Sequence, residues 1–233
     1  MPKVNNVFFP LACAMLFLFQ LSKVHGQSSG ENTWGSWFMY FGTNTISDKL
    51  SIHSEAQFRY YEFAANFNQL LLRTGLNYHI NPTAIATLGY GYILTDPSFL
   101  EEPNGRDSRE NRIFQQFILK DAIWKLAIEH RYRLEQRFLK SGDDPDIQHR
   151  ARYRLQLTLP ITGNLFLNFY DEVFLNLQGE VFGQNRAYAA LGIKVSSNAS
   201  LQLGYLKNHF PGQHFDRFQL GIFYNPDLRK KAD

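Results

Sequence analysis

Arginine and glutamate recur at every second position along several stretches of the chain. The densest runs are residues 129–137 and 150–154, in which every second side chain is charged. Guanidinium and carboxylate groups in such rows can form a paired ionic network, and arginines in excess of carboxylates can form a track that binds anions. The candidate residues for the network or the anion track are Glu55, Arg59, Arg73, Glu129, Arg131, Arg133, Glu135, Arg137, Arg150, Arg152, Arg154, Glu172, Arg186 and Arg217.

A spacing of two indicates β-strands, because successive side chains of a strand point to opposite faces. Within residues 50–61, Ile52 and Phe58 fall on one face, whereas Glu55 and Arg59 fall on the other. Eleven segments share this alternation: residues 34–43, 49–61, 67–80, 83–95, 110–120, 123–137, 148–159, 164–177, 185–196, 199–208 and 215–225. Most have 10–14 residues, whereas globular strands have about 5–6 and a tilted membrane-spanning strand needs about 9–11. The lengths therefore favour strands that cross a membrane.

The connections favour a barrel over the alternative, a soluble sandwich of two sheets. Short turns are predicted at residues 44–48, 81–82, 121–122, 160–163 and 197–198, and longer links at 96–109, 138–147, 178–184 and 207–214. Outer-membrane barrels alternate short turns with longer loops and carry aromatic girdles, which fits Tyr60, Tyr78, Trp124 and Tyr224 near strand ends. We predict an all-β fold, a transmembrane antiparallel up-and-down β-barrel of 10–12 strands.

The strand number should be even, because bacterial single-chain barrels have even numbers of strands. Eleven segments therefore predict 10 or 12 strands. Either a further strand lies near residues 27–33, or one of the eleven segments is not a strand.

The N-terminal residues resemble a secretory signal. Lys3 precedes an apolar run from Val7 to Leu21, and Val24-His25-Gly26 offers small residues before a cleavage site. The run is shorter than the ~20 residues of a transmembrane helix. We predict a cleaved signal peptide at residues 1–26 and a single outer-membrane β-barrel domain at residues 27–233, in the cell outer membrane of a Gram-negative envelope.

The charge of the chain is concentrated on one predicted face. Loss of Lys3 and Lys23 with the signal peptide would lower the net charge from +3 to +1, which does not favour nucleic acid as a partner. On the face predicted to line the lumen, fourteen basic residues face five carboxylates, a surplus of nine. Beyond the candidates above, this count includes Arg112, Lys120, Lys125, Lys194 and Glu110. Asp171 falls on the opposite face, where we expect a rim position or a β-bulge.

Several stretches together resemble a known family. They are Trp34-Gly35-Ser36-Trp37, Ile46-Ser47-Asp48-Lys49-Leu50 leading to Glu55-Ala56-Gln57-Phe58-Arg59, residues 129–137, Asp171-Glu172-Val173-Phe174, and Gln184-Asn185-Arg186 followed by Leu203-Gly204-Tyr205. Their order and spacing are similar to the outer-membrane barrels catalogued as domain of unknown function 2490 (DUF2490). The resemblance covers nearly the whole mature chain and implies a barrel and an outer-membrane location. The family carries no established activity, so the resemblance implies no catalytic or binding residues.

Three functions compete. The first is a structural or anchoring barrel with an Arg/Glu-filled lumen, in which Glu55 and Arg73 pair across neighbouring strands. The second is a narrow channel for anions or acidic oligosaccharides, because five carboxylates cannot pair the whole basic surplus. The third is a lipid- or peptide-processing enzyme of the outer membrane. Only His209, His214 and Asp216 cluster near a rim, without a Gly-x-Ser-x-Gly motif, so we predict no enzyme.

The predicted partners follow from the location. They are outer-membrane lipid and lipopolysaccharide, the barrel-assembly and periplasmic chaperone machinery, and an anionic solute, without nucleic acid. Cys13, the single cysteine, lies in the signal region, so the mature chain should have no disulfide or thiolate metal site. The acidic run Asp143-Asp144-Pro145-Asp146 lacks the spacing of an EF-hand calcium loop. We predict neither a metal nor a cofactor.

Overall fold

The computed structural model describes residues 30–99, 107–141 and 144–229. It contains eleven strands: β1 (Trp34–Thr45), β2 (Leu50–Glu62), β3 (Ala65–Asn81), β4 (Ala84–Thr95), β5 (Ser108–Ile123), β6 (Leu126–Ser141), β7 (Asp144–Thr162), β8 (Leu165–Asn176), β9 (Phe182–Lys194), β10 (Ala199–Phe210) and β11 (Gln213–Tyr224). The predicted signal peptide, residues 1–26, lies outside the described residues. Within the described ranges, no helix is long and apolar enough to cross a membrane.

The strands form one closed barrel in which each strand pairs antiparallel with its neighbours in sequence. The barrel closes where β1 pairs with β11, and this pair is parallel. Eleven strands lie within the predicted range of 10–12, but the expectation of an even number is wrong. Of residues 27–33, where a further strand was considered, 30–33 form a turn and 27–29 lie outside the described residues. Closure requires only that both edge strands find hydrogen-bonding partners, and a parallel pair satisfies this as an antiparallel pair does.

The barrel has two ends that differ in their connections. At the turn end, the strands are joined by residues 46–49, 82–83, 124–125, 163–164 and 195–198. At the loop end, they are joined by residues 63–64, 96–107, 142–143, 177–181 and 211–212. Residues 30–33 precede β1 at the loop end, and residues 225–229 follow β11 at the turn end.

Two of the predicted long links are wrong. Strands β6 and β7 extend into the predicted link at 138–147 and leave only residues 142–143 between them. Strands β10 and β11 meet at Pro211-Gly212, where Gly212 adopts a φ of +75°. Both stretches are polar. Where a strand extends beyond the apolar part of the barrel's outer surface, both of its faces are polar, so its sequence resembles that of a loop.

The two faces of the sheet are inverted relative to a globular protein. The inward face holds the charged rows, and the Glu135 side chain is fully buried. The outward face exposes large apolar side chains such as Leu88, at 61% of its surface, and Leu203, at 63%. Charged residues are ordinarily at the surface and leucines inside, so this barrel buries its charge and exposes its apolar side chains.

Aromatic rings line both faces of the parallel β1–β11 seam. On the outward face, Trp34 stacks on Phe218 with ring centroids 4.8 Å apart. On the inward face, Phe41 stacks on Phe223 at 4.9 Å. Parallel pairing is slightly weaker per residue than antiparallel pairing, and stacked aromatic pairs contribute about 0.5–1.5 kcal/mol each beyond their burial. The rings therefore reinforce the one parallel junction of the barrel.

The C-terminal residues prolong this seam beyond the end of β11. The Thr45 amide donates to the carbonyl of Pro226 at 3.0 Å, and the Leu228 amide donates to the carbonyl of Thr45 at 2.8 Å. Arg229 then bonds the carboxylates of Asp227 and Asp48, which raise its pKa and keep it charged. The tail thus ties the first turn of the barrel to its last strand.

Glycines make room for two inward rings. Gly89 on β4 lies directly opposite Phe114 on β5, and a Cβ at Gly89 would overlap the ring. Gly192 on β9 lies in the same relation to Phe166 on β8. In each pair the ring covers the backbone of the neighbouring strand, an arrangement that also pins the register of the two strands.

We predict that Gly89→Ala destabilises the barrel by about 1–3 kcal/mol, because the added methyl overpacks the site of Phe114. Urea unfolding of the purified protein in detergent micelles, followed by tryptophan fluorescence, measures this change. In a Phe114→Leu background, the same glycine substitution should cost clearly less. An equal cost in both backgrounds would contradict the proposed clash.

Candidate functional site

The strands bring eleven arginines and five glutamates to the inward face. The arginines are Arg59, Arg73, Arg112, Arg131, Arg133, Arg137, Arg150, Arg152, Arg154, Arg186 and Arg217, and the glutamates are Glu55, Glu110, Glu129, Glu135 and Glu172. The structure places all fourteen sequence-predicted site residues inside. It corrects the charge count, because Lys120, Lys125 and Lys194 are exposed at the turn end. The interior surplus among the described residues is therefore six, since alternation assigns a face but not a depth.

The most buried carboxylate, Glu135, lies among five guanidinium groups. Arg150 approaches it to 2.6 Å and Arg152 to 2.7 Å, both from β7, and Arg112 of β5 lies 3.4 Å away. The remaining two are Arg133 at 3.7 Å and Arg73 at 3.9 Å. We call these six residues the Glu135 cluster. A single buried carboxylate thus faces five cations, so the cluster carries a strong local excess of positive charge.

Shared arginines join the Glu135 cluster to other carboxylates. Arg73 also bonds Glu55 at 2.9 Å, across the β2–β3 pair. Arg152 also bonds Glu172 at 2.8 Å, and Glu172 accepts a second bond from Arg131 at 2.6 Å. Glu110 bonds Arg112 and Arg137, and Glu129 bonds Arg154 at 2.6 Å. Apart from this last pair, one continuous ionic network spans the lumen from β2 to β8.

Two inward aromatic rings support the arginines, and the sequence analysis missed both. Two guanidinium groups lie over the ring of Trp37 on β1. That of Arg59 is 3.8 Å from the ring centroid, and that of Arg186 is 4.9 Å from it. The ring centroid of Phe174 on β8 similarly lies 4.2 Å from the guanidinium of Arg152 and 4.7 Å from that of Arg186. Sequence reasoning assigned apolar side chains to the outward face. For Phe174 the detectable signal was parity, because it shares a face of β8 with Glu172. Strand β1 has no charged residue, so the sequence offered no such signal for Trp37.

The network divides the lumen into two cavities. The loop-end cavity has a volume of about 730 Å³, and the turn-end cavity about 80 Å³. Both are lined by Trp37, Arg59, Arg73, Arg152 and Arg186, which we call the constriction. The charged residues lining the loop-end cavity are Arg59, Arg73, Arg112, Arg137, Arg150, Arg152, Arg186, Arg217 and Glu110. Among the described residues, eight arginines and one glutamate line this cavity, so this part of its wall is strongly basic.

The polar residues of the outward face satisfy one another locally. Asp171 lies in the middle of β8 within regular pairing, so the expectation of a rim position or a β-bulge is wrong. Asn185 donates to both its carboxylate oxygens at 2.9 and 3.1 Å. Asp216 accepts from Lys207 at 2.9 Å and from the hydroxyl of Tyr205. Such hydrogen bonds and ion pairs lower the free-energy cost of a carboxylate that faces away from the lumen.

The rim residues considered for catalysis do not join as a triad. The His209 and His214 rings lie 6.4 Å apart across the β10–β11 hairpin, while Asp216 is engaged by its own neighbours. Among the described ranges, no three His, Cys, Asp or Glu side chains are grouped to hold a metal ion. Asp143 of the acidic run lies outside those ranges.

We predict that Glu135→Gln destabilises the barrel by about 3–5 kcal/mol, because it leaves buried guanidinium groups without their carboxylate. The matched control is Glu129→Gln, whose partly exposed carboxylate bonds Arg154 and should cost about 1 kcal/mol or less. Urea midpoints of the two variants in micelles give the comparison. Similar losses for both would show that the Glu135 cluster has no special weight.

Comparison with known proteins gives a family and little else. A family model described as "Protein of unknown function (DUF2490)" matches residues 34–219. An uncharacterized protein of Methylorubrum extorquens is 24% identical over 167 residues, which cover 67% of this chain and 70% of that protein. No solved structure matches the chain.

Proposed function

Since this chain belongs to the DUF2490 family, whose description states no activity, we propose a function from its geometry. The protein is an integral barrel of the outer membrane of a Gram-negative cell, exported by a signal peptide at residues 1–26. Its lumen is closed by the ionic network, and its role is structural or anchoring. Its partners are lipid and lipopolysaccharide, with periplasmic chaperones and the barrel-assembly machinery acting during insertion.

The observation that carries the proposal is the apolar outward face. Leucine, isoleucine and phenylalanine side chains cover it, and such a continuous apolar surface favours lipid contact. Aromatic rings cluster at both ends. Near the loop end, Trp34, Tyr60, Phe63, Tyr205 and Phe218 belong to one chain of ring contacts. At the turn end, Tyr78, Trp124 and Tyr224 are exposed. Two aromatic girdles around an apolar band are typical of outer-membrane barrels.

The connections suggest an orientation for the barrel. The longest link, residues 96–107, lies at the loop end, and outer-membrane barrels have their longer loops outside the cell. We therefore assign the loop end to the exterior and the turn end to the periplasm. Residues 225–229 would then be periplasmic, and residues 30–33 would lie at the exterior.

Location and orientation can be tested by cysteine labelling, because Cys13 lies within the predicted signal peptide. Asp107→Cys, at the loop end, should react with a membrane-impermeant maleimide in intact cells. The matched Ser197→Cys, at the turn end, should react only after lysis. Recovery of the protein outside the outer-membrane fraction would overturn the proposal, and the reverse labelling pattern would overturn the orientation.

The closed lumen follows from the constriction. Trp37 and Arg186 approach each other across it, and Arg152 extends from β7 to reach two carboxylates. The side chains that separate the two cavities are held by ion pairs and ring contacts, not by a mobile loop. A hydrated anion would have to displace these contacts to pass, so the geometry favours a closed barrel over the alternative, an open anion channel.

We predict that the purified protein shows no sustained conductance in planar bilayers. Trp37→Ala combined with Arg186→Ala should produce a measurable conductance, because both side chains belong to the constriction. Trp124→Ala, in an exposed turn, is the control and should stay closed. Anion-selective conductance of the wild-type protein that changes with arginine substitutions would instead establish the channel.

A further inference from the structure

The inward arginines that lack a carboxylate partner all border the loop-end cavity. Among the inward-facing described residues, three arginines have no carboxylate within 4.0 Å, and all three line this cavity: Arg59, Arg186 and Arg217. Arg59 bonds the amide oxygens of Gln57 and Gln69. Arg59 and Arg186 also line the turn-end cavity, whose wall includes Glu55 and Glu172, whereas Arg217 lines the loop-end cavity only. The larger cavity is therefore the one that borders all three unpaired arginines.

The partners of Arg186 and Arg217 leave part of each guanidinium edge available. Arg217 donates through Nη1 to two backbone carbonyls, and Arg186 donates through Nε and Nη2 to the amide oxygen of Gln184. Trp37 and Phe174 contact the guanidinium of Arg186. The guanidinium of Arg217 lies 4.8 Å from the ring centroid of Phe215. A ring contact engages the flat face of a guanidinium, whereas its N–H donors lie in the plane and point past the ring. Such edges can bind carboxylate or phosphate groups in a bidentate manner.

The remaining lining of the cavity suits a polyhydroxylated molecule. Amide side chains are interspersed among the arginines, and they include Gln148, Gln184 and Asn208. The buried Asn208 has a side-chain oxygen without a hydrogen-bond partner among the described residues. Tyr61 and Phe210 add aromatic surface. The volume of about 730 Å³ lies within the range of about 300–1,000 Å³ that is usual for small-molecule sites.

We propose that the loop-end cavity is a binding site for a short acidic saccharide, whose carboxylate groups are bound by Arg59, Arg186 and Arg217. The amides bind its hydroxyl groups. The inference rests on the proposed function in one respect, because the closed constriction forms the floor of the cavity and holds the ligand there. It goes beyond that function by giving the barrel a ligand and the site that binds it.

Isothermal titration calorimetry of the full-length protein in detergent micelles tests the proposal, with trigalacturonate as the probe. Binding should be saturable and should weaken as salt is added. Arg217→Gln should weaken it at least tenfold, and Arg186→Gln at least as much. The control is Arg229→Gln, at the exposed turn end, which should bind as the wild-type protein does.

Two further probes define the ligand class. Maltotriose, a neutral saccharide of similar size, should not bind, because it lacks carboxylates. Citrate should bind at least tenfold more weakly than trigalacturonate, because it has carboxylates but no sugar hydroxyl groups for the amides. Equal binding of maltotriose, or unchanged affinity in both Arg217→Gln and Arg186→Gln, would overturn the proposal.

The Arg217→Gln variant is expected to fold, because the Arg217 side chain has no carboxylate partner: it bonds only backbone carbonyls and contacts Phe215. Weaker binding in this variant would therefore not reflect a folding defect. Failure of this inference is distinguishable from failure of the proposed function. A protein that labels as an outer-membrane barrel and does not conduct, yet shows no heat with trigalacturonate, refutes the binding site alone. A protein that binds trigalacturonate but fractionates elsewhere refutes the membrane location alone.

Discussion

The rest of this structure depends on the placing of eleven arginines inside a closed β-barrel. A guanidinium removed from bulk water requires partners for its charge and for five N–H donors. The protein supplies three kinds: carboxylates such as Glu135, amide oxygens such as that of Gln69, and aromatic rings such as Trp37. Because these partners sit on different strands, satisfying the arginines fixes how the strands face one another across the lumen.

The network also explains why the wall has its local details. An arginine that crosses the lumen can reach a carboxylate several strands away only if the closure and the register are both correct. Arg73 on β3 meets Glu135 on β6 at 3.9 Å, although these strands are not neighbours. Phe114 can lie flat against the wall only because Gly89 opposes it. Side-chain chemistry in the lumen and backbone pairing in the wall therefore specify the same closed arrangement.

The sequence allowed the faces to be predicted but not the depths. Period-two alternation assigned all fourteen site residues to the inward face, because that period is a direct property of strands. It could not distinguish Lys194, at the solvent-exposed rim, from Arg186, which lies eight residues earlier on the same strand and lines the lumen. Hydrophobicity likewise could not place Phe174 inside, because a phenylalanine that stacks on arginine is as apolar as one that faces lipid.

The even strand number and two of the long links were predicted wrongly for a different reason. Whether β1 pairs with β11 in a parallel or antiparallel sense is decided by tertiary closure, and no local pattern records it. The ends of β6 and β7 were read as a loop because residues such as Lys140 and Asp146 are charged. Polarity marks where a strand leaves the apolar band, whereas the strand itself ends only where its hydrogen-bonded partner ends.

The uneven distribution of charge argues that the interior does more than fill space. If filling were the only requirement, well-packed apolar side chains of similar volume would serve, often with a gain in stability, because a buried ion pair rarely repays its desolvation. Five guanidinium groups surround Glu135, whereas Arg59, Arg186 and Arg217, which all line the loop-end cavity, have no carboxylate within 4.0 Å. A network built for stability alone would spread its carboxylates among its arginines. This one closes the barrel at a constriction that includes the unpaired Arg59 and Arg186, and it leaves all three unpaired arginines beside a cavity large enough for a ligand.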